Sequence, residues 1–199
     1  IGVNVGRLGF AADVEPHEYE QLERLITGDY TTEERILLDV EVIKEDGSKH
    51  YLAVNDAVVA RGQLSKTIDL HLTLDGDEIS KYRADGLLFS TPTGSTAYSL
   101  SAGGPILAPK MECILMTPVC PHSLFSRSVL FSGESELSVH VKIPEECCCV
   151  LTIDGEKNVP VLATDRVVIR KSDLKLKLAL LHNRNFYKLL NEKLKERDF

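Results

Sequence analysis

Leu38, Val40 and Val42 alternate with Asp39 and Glu41, the period of two expected of a strand with one buried face. Asp46-Gly47 follows as a hairpin signal ahead of a second strand near Tyr51 to Val54. The same alternation returns in Ile68, Leu70, Leu72 and Leu74, with Asp75-Gly76 behind them, and in Leu137, Val139, Val141 and Ile143, closed by Pro144. Further strands are predicted at Gly86 to Ser90, Cys113 to Thr117, Cys148 to Ile153 and Arg166 to Arg170. Helical periodicity is confined to the two ends. Pro16 to Ile26 places Tyr19, Leu22, Leu25 and Ile26 on one face, with Pro16 in the first turn and Gly28 as the stop. At the other end Asn185 is an N-cap signal before an apolar stripe of Phe186, Leu189, Leu190 and Leu194, set among Lys188, Lys193, Lys195 and Arg197. Many short strands with turn signals between them predict a β-sandwich or related multi-sheet domain over 32–180, not a doubly wound sheet. The terminal stripe needs a surface to cover: the β domain, the first helix, or chain upstream of Ile1.

Composition narrows the classes. With 199 residues, 43% of them apolar and 27% charged, the chain has the make-up of a globular protein. No apolar run approaches the roughly 18 residues of a membrane span, and the opening Ile1-Gly2-Val3-Asn4 carries neither a basic leader nor a cleavage site. Membrane and secreted classes therefore recede. The opening also reads as the interior of a structured segment, so an upstream part is expected. A net charge of −7 argues against unaided nucleic-acid binding. The last 34 residues hold 10 of the 23 basic side chains, which reads as a solvated helix and strand. The five cysteines are an odd number and three are consecutive, Cys147 to Cys149. Neighbours on a strand point to opposite faces, so these three do not converge on a metal, and reduced thiols in a cytoplasmic protein are expected.

The densest chemistry is Thr91-Pro92-Thr93-Gly94-Ser95-Thr96-Ala97-Tyr98-Ser99, followed by Gly103-Gly104-Pro105. An apolar strand runs into a Thr/Gly/Ser turn and then a short helix, which sets unpaired backbone N–H groups and hydroxyls around one spot. Such a turn suits a phosphate, a ribose or an adenine edge; by pattern alone an ordinary capped helix start is about as good a reading. No Lys follows the Gly, as a Walker loop requires, and the spacing is not that of a nucleophile elbow.

That string resembles the signature of the NAD kinases, which phosphorylate the adenosine 2′-hydroxyl of NAD to give NADP. Four more segments are similar to the same family in the same order: Asn4-Val5-Gly6-Arg7-Leu8-Gly9-Phe10, Asn55-Asp56-Ala57-Val58-Val59, Cys120-Pro121-His122-Ser123-Leu124 and Asp154-Gly155-Glu156. The terminal Phe186-Tyr187-Lys188-Leu189-Leu190 looks like the family's last helix. The resemblance implies a mainly β, sandwich-like C-terminal domain that binds NAD. Flanking segments 1–31 and 181–199 would belong to, or pack on, a largely missing α/β domain. The family's Gly-Gly-Asp-Gly motif, which carries the general base and the donor-phosphate cradle, would lie upstream of Ile1. No catalytic residue is then expected within this chain, and the chain alone would not turn over. Mg²⁺ with ATP or polyphosphate would serve the donor side, and a homodimer or homotetramer would complete the acceptor sites.

Residue roles follow from that resemblance. Asn55 has an amide that gives and accepts at once, as an adenine edge requires, and the Asp56 carboxylate accepts from ribose hydroxyls. Thr93, Thr96, Ala97, Tyr98 and Ser101 form the wall around the adenosine half. Arg83 and Asp85, two apart before the motif strand, either pair with each other or meet the nicotinamide end, in part across a subunit interface. Asp154 and Gly155 read locally as a hairpin, and the match makes them neighbours of a phosphate site. His122 reads as a loop-ordering residue, and no metal ligand set is read. Two other readings stay open: a nucleotide sensor that binds NAD(P) without turnover, and a lipid or diacylglycerol-type kinase.

Overall fold

The computed structural model describes residues 1–5, 10, 12–62, 67–123, 126–143, 149–182 and 185–195, without the side chains of 193–195. Gly6 to Gly9, Leu124, Pro144, Cys147, Cys148 and Arg197, and the side chains of Lys193, Leu194 and Lys195, lie outside the described residues.

Twelve strands are described: β1 (Thr31–Lys44), β2 (Gly47–Ala53), β3 (Asp56–Arg61), β4 (Ile68–Leu74), β5 (Asp77–Ala84), β6 (Gly86–Ser90), β7 (Cys113–Val119), β8 (Val129–Ser132), β9 (Leu137–Lys142), β10 (Cys149–Ile153), β11 (Lys157–Val161) and β12 (Arg166–Leu180). They form two six-stranded sheets, in the orders β2-β1-β12-β9-β4-β5 and β11-β10-β3-β6-β7-β8. The ladders whose register is resolved are all antiparallel. The alternating residues of the sequence supply one apolar cluster: Leu38, Val40 and Val42 of β1, Ile68, Leu70 and Leu72 of β4, and Leu137, Val139 and Val141 of β9 join Val59, Phe89, Met116 and Leu151 of the other sheet. This is the mainly β, sandwich-type architecture expected from the pattern.

The hairpins differ in detail. Leu74 pairs with Asp77, so Asp75-Gly76 is a two-residue turn, with φ of +51° and +94°, the doubly left-handed backbone that suits the twist of flanking strands. Lys44 pairs with Gly47, so the first turn is Glu45-Asp46 and Gly47 is already in the strand. Sequence periodicity also passed over β3, β5, β8 and β11. β3 is buried on four consecutive positions and so shows no alternation, β5 buries only Ala84, and β8 and β11 have four and five residues, too few to set a period.

The chain divides into two compact units, Ile36–Leu174 and the described parts of Ile1–Arg35 with Lys175–Phe199. In the second unit Pro16–Glu23 is a 3₁₀ helix that passes into α1 (Arg24–Thr27), capped by the left-handed Gly28. The expected stripe there is not buried, and Ile26 is 88% exposed. The other expected helix is present as α3 (Phe186–Lys195), and the Asn185 Oδ1 accepts from the Tyr187 and Lys188 N–H groups at 3.0 and 3.3 Å, as an N-cap does.

Of the four sheet edges, β2 carries Lys49 and His50, β5 carries Asp77, Glu78, Lys81 and Arg83, and β11 carries Lys157 and Pro160. The edge strand β8, Val129-Leu130-Phe131-Ser132, has no charge and no proline, and Val129 and Leu130 are exposed.

Candidate functional site

Asn55 lies in the tight link between β2 and β3, and the fold holds that link from two sides. From the β10–β11 turn, the Asp154 carboxylate accepts the backbone N–H of Val54 (2.8 Å), Asn55 (2.7 Å) and Asp56 (3.0 Å), while its own N–H donates to the Asp56 carbonyl (2.9 Å). From the end of β6, the Thr91 N–H donates to the Asn55 carbonyl (2.9 Å), and the Thr91 hydroxyl donates to the Val54 carbonyl (2.7 Å). That hydroxyl in turn accepts the Gly94 N–H at 3.0 Å. Gly94 sits against the link so closely that a Cβ there would fall within the Asn55 carbonyl group. With its backbone groups engaged in this way, Asn55 keeps its side chain half-buried, and nothing among the described residues bonds to its amide.

Asp56 opens β3. Its side chain is 5% exposed, and among the described residues nothing donates to its carboxylate. Burial, reinforced by the nearby charge of Asp154, pushes its carboxyl up to about 6. The folded state therefore binds this proton more tightly than the unfolded chain does. Ionised Asp56 opposes folding above pH 6, and the penalty fades as pH falls from about 6 toward 4. Asp56→Asn is expected to raise stability at pH 7 by about 1–3 kcal/mol in the ligand-free protein, a gain that should vanish near pH 4. Denaturant melts at both pH values check this; equal stability of wild type and variant at pH 7 would remove it.

The Thr91-to-Gly104 segment is pinned to the same sheet. The Ser95 hydroxyl donates to the Pro92 carbonyl (2.7 Å) and accepts the Leu107 N–H (3.0 Å). The Thr96 hydroxyl donates to the Thr93 carbonyl (3.2 Å), and the Ala97 N–H to the Gly94 carbonyl (2.9 Å). Ser99, Thr117 and Ser128 form a chain of hydroxyls, 3.1 Å at each step. On this footing the short helix α2 (Tyr98–Ser101) presents Tyr98 at 47% exposure and an exposed Ser101. Tyr98 is thus an offered ring and not a core aromatic.

The expected residues fall into two groups. Asn55, Asp56, Asp154 and Gly155 meet Thr93, Thr96 and Ala97 through the Thr91 and Gly94 contacts, and Tyr98 and Ser101 follow on α2. Asp85 stands just before the opposite end of β6, five residues from Ser90, roughly 16 Å along a strand, and Arg83 lies near the end of β5 in the other sheet. They do not pair with each other. Asp85 lies in the bend after β5, where the chain crosses between sheets, and binds Arg61 (2.7 and 3.3 Å); Arg83 binds Asp69 (2.9 and 3.1 Å). Arg83 also lines a cavity of about 500 Å³ with His71, Lys81 and His122. The His122 backbone N–H donates to the Arg83 carbonyl at 2.8 Å. Among the described residues no three His, Cys, Asp or Glu side chains gather in a way that could hold a metal ion. Sequence reasoning passed over Thr91, Ser95, Ser99, Thr117 and Ser90 as individual residues. Their hydroxyl type was visible, but the partners of the first four are 3 to 37 positions away, and the Ser90 hydroxyl has none among the described residues.

The ATP-NAD kinase C-terminal domain family matches residues 54–181. The chain is 40% identical over 196 residues to the NAD kinase of Natranaerobius thermophilus, covering 98% of this chain and 68% of that protein. To the NAD kinase of Cellvibrio japonicus it is 42% identical over 197 residues, covering 98% and 65%. Among solved structures it is similar to yeast NADH kinase complexed with NADH, with a TM-score of 0.86 and 27% identity over 97% of this chain and 59% of that one. An NAD kinase from Archaeoglobus fulgidus in complex with ATP gives a TM-score of 0.81 and 26% identity over 98% and 73%. The chain thus spans about two thirds of the length of these relatives.

Proposed function

This chain belongs to the NAD kinase family, the enzymes that phosphorylate NAD to NADP, and from that premise we propose that it supplies the acceptor side of the reaction, holding NAD at the Asn55–Asp56 link. The observation that carries this reading is the unbonded Asn55 amide beside the buried Asp56 carboxylate, on a link whose backbone is fastened by Asp154, Thr91 and Gly94. A fixed backbone with a free amide is preorganised for an adenine edge, and the adjacent carboxylate suits ribose hydroxyls. Thr93, Thr96, Ala97, Tyr98 and Ser101 wall the adenosine half, with the Tyr98 ring available to stack. Asp154 and Gly155 act on any phosphate nearby through the link they brace.

The general base and the donor site, which takes ATP or polyphosphate with Mg²⁺, belong in this proposal to the third of the relatives' length outside the match. Segments 1–31 and 181–199 accompany that domain. Phosphoryl transfer depends on alignment and charge neutralisation, so donor and acceptor can be held by different domains. The protein would work in the cytoplasm.

Isothermal titration of the full-length protein with NAD tests the assignment. Asn55→Ala leaves polar edge atoms unpaired in a desolvated site, an expected loss of about 1–3 kcal/mol in affinity with a smaller effect on stability. An unchanged dissociation constant would refute the role of Asn55, and no binding of NAD or NADP to the wild type at millimolar concentration would refute the function.

Arg83, near the end of β5, and Asp85, in the bend before β6, are too far from Ser90 and the Asn55 link to share that site of the same chain at close range, which supports their service to a neighbouring subunit. The uncharged, exposed edge β8 favours pairing with a second copy, since an unguarded edge strand invites another strand. A homodimer or homotetramer built through the β domain is expected, and sedimentation showing a fully active monomer at micromolar concentration would remove it.

A further inference from the structure

Two buried polar groups without partners face each other across one ladder. Asp56 pairs with Ser90 in the β3–β6 register. Ser90 is fully buried, and its Oγ has no hydrogen-bond partner among the described residues. Both residues point to the side of the sheet away from the sandwich core, because the intervening Ala57 and Phe89 belong to the core cluster and Val58 and Leu88 do not. Directly opposite residues in an antiparallel ladder hold their Cβ atoms about 4.5–5.5 Å apart, a gap that a hydroxyl and a carboxylate close by changing rotamer. A buried hydroxyl with nothing to bond is costly in a way that alanine would not be, and here it stands beside the carboxylate assigned to the ribose.

Resting on the reading of Asp56 as a ligand of NAD, we propose that Ser90 is a positioning residue for the acceptor: with NAD bound, its hydroxyl donates to the Asp56 carboxylate and fixes which oxygen meets the ribose hydroxyls. Ser90 does not touch the nucleotide. An ionised carboxylate held away from water needs donors on more than one lone pair; Ser90 supplies one from below and the ribose supplies the rest from above. The groups facing Asp56 are Asp154 from the β10–β11 turn and Ser90 from β6. The Thr91–Ser101 segment brings Tyr98 as its single titratable side chain. Of these, only Asp154 is charged near neutrality, and it opposes ionisation of Asp56. Removing the Ser90 donor therefore leaves the bound carboxylate easier to protonate.

The test is NAD titration of the full-length protein from pH 5 to 8, for wild type, Ser90→Ala, Asp56→Asn and the double variant. Ser90→Ala should weaken NAD binding about tenfold at pH 7 and move the acid loss of affinity upward by about one pH unit, the same free energy in two readouts. Its melting temperature should equal or exceed that of the wild type. In the Asp56→Asn background Ser90→Ala should have no further effect on affinity. Wild-type affinity and an unmoved acid limb in Ser90→Ala would overturn the inference, as would an equal loss in the Asp56→Asn background. Failure of the wild type itself to bind NAD would instead strike down the functional assignment on which the inference stands.

Discussion

Gly94→Ala is expected to cost at least a hundredfold in NAD affinity and to lower the melting temperature by several degrees. The cause is space and not backbone strain, since Gly94 does not adopt the left-handed conformation. A Cβ at Gly94 would fall within the Asn55 carbonyl group and 2.7 Å from the Asn55 Cα. These are backbone atoms, which cannot swing aside as a side chain would, so either the Asn55 link or the Thr91–Gly94 turn must move. Movement of either breaks the bonds that join them, Thr91 N–H to the Asn55 carbonyl and Thr91 hydroxyl to the Val54 carbonyl, and disturbs the Gly94 N–H bond to the Thr91 hydroxyl inside the turn. Overpacking costs about 1–3 kcal/mol, and each buried group left unpaired costs about as much again. A total of roughly 3–5 kcal/mol in the geometry of the site follows. Calorimetric titration and a thermal melt of the full-length variant measure it. A dissociation constant within threefold of the wild type would show that the close approach does not matter.

Asp154→Ala should be nearly as damaging, and mainly to stability. One carboxylate accepts three consecutive backbone amides, those of Val54, Asn55 and Asp56. Truncation leaves these donors without partners, and hydrogen bonds to a charged group contribute about 1.5–3 kcal/mol apiece, though not additively. Asp154 also has a φ of +50°, which Asp and Asn tolerate better than Ala. Part of the loss is returned, because removing the Asp154 charge relieves the buried Asp56. A net loss of about 3 kcal/mol is expected. Asp154→Asn should lose less, since it keeps the left-handed turn and an acceptor for Asn55 and Asp56. A residue acting only beside a phosphate would reduce turnover and leave the melt alone. An unchanged melting temperature for Asp154→Ala would therefore refute the bracing role and return Asp154 to the phosphate.

These two residues show where sequence reading stopped. Asp154-Gly155 is legible as a turn because left-handed backbone selects those residue types, and a local rule suffices. That the Asp154 carboxylate reaches back 98 to 100 positions to fasten the Asn55 link is not local, and no spacing announces it. Arg83 and Asp85 failed in a related way. The expectation of a shared face assumed an unbroken strand, whereas the chain bends at Asp85 to pass from one sheet to the other, and each residue found a partner elsewhere, Asp69 and Arg61. The first helix was legible in extent but not in kind. Its eight leading residues are 3₁₀, and its stripe is not buried, with Tyr19 and Ile26 exposed and Leu22 and Leu25 half-buried, because helical periodicity states which face is apolar and not whether anything covers it.

By itself the amino-acid order determined the mainly β class, the inward faces of β1, β4 and β9, the caps at Gly28 and Asn185, and the family to which the Thr91–Ser99 string belongs. All of these depend on residues within a few positions of one another: the two-residue period, left-handed turn types, side-chain capping and the Thr91–Ser99 string. Tertiary structure alone decided which strands are neighbours, that Asn55 is held by Asp154 and Thr91, that Asp56 is buried with its carboxyl raised, and that Ser90 lies opposite it. Those facts arise from pairings between segments tens of residues apart. Such pairings are selected by how two sheets bury one core, and residue spacing along the chain carries no record of them.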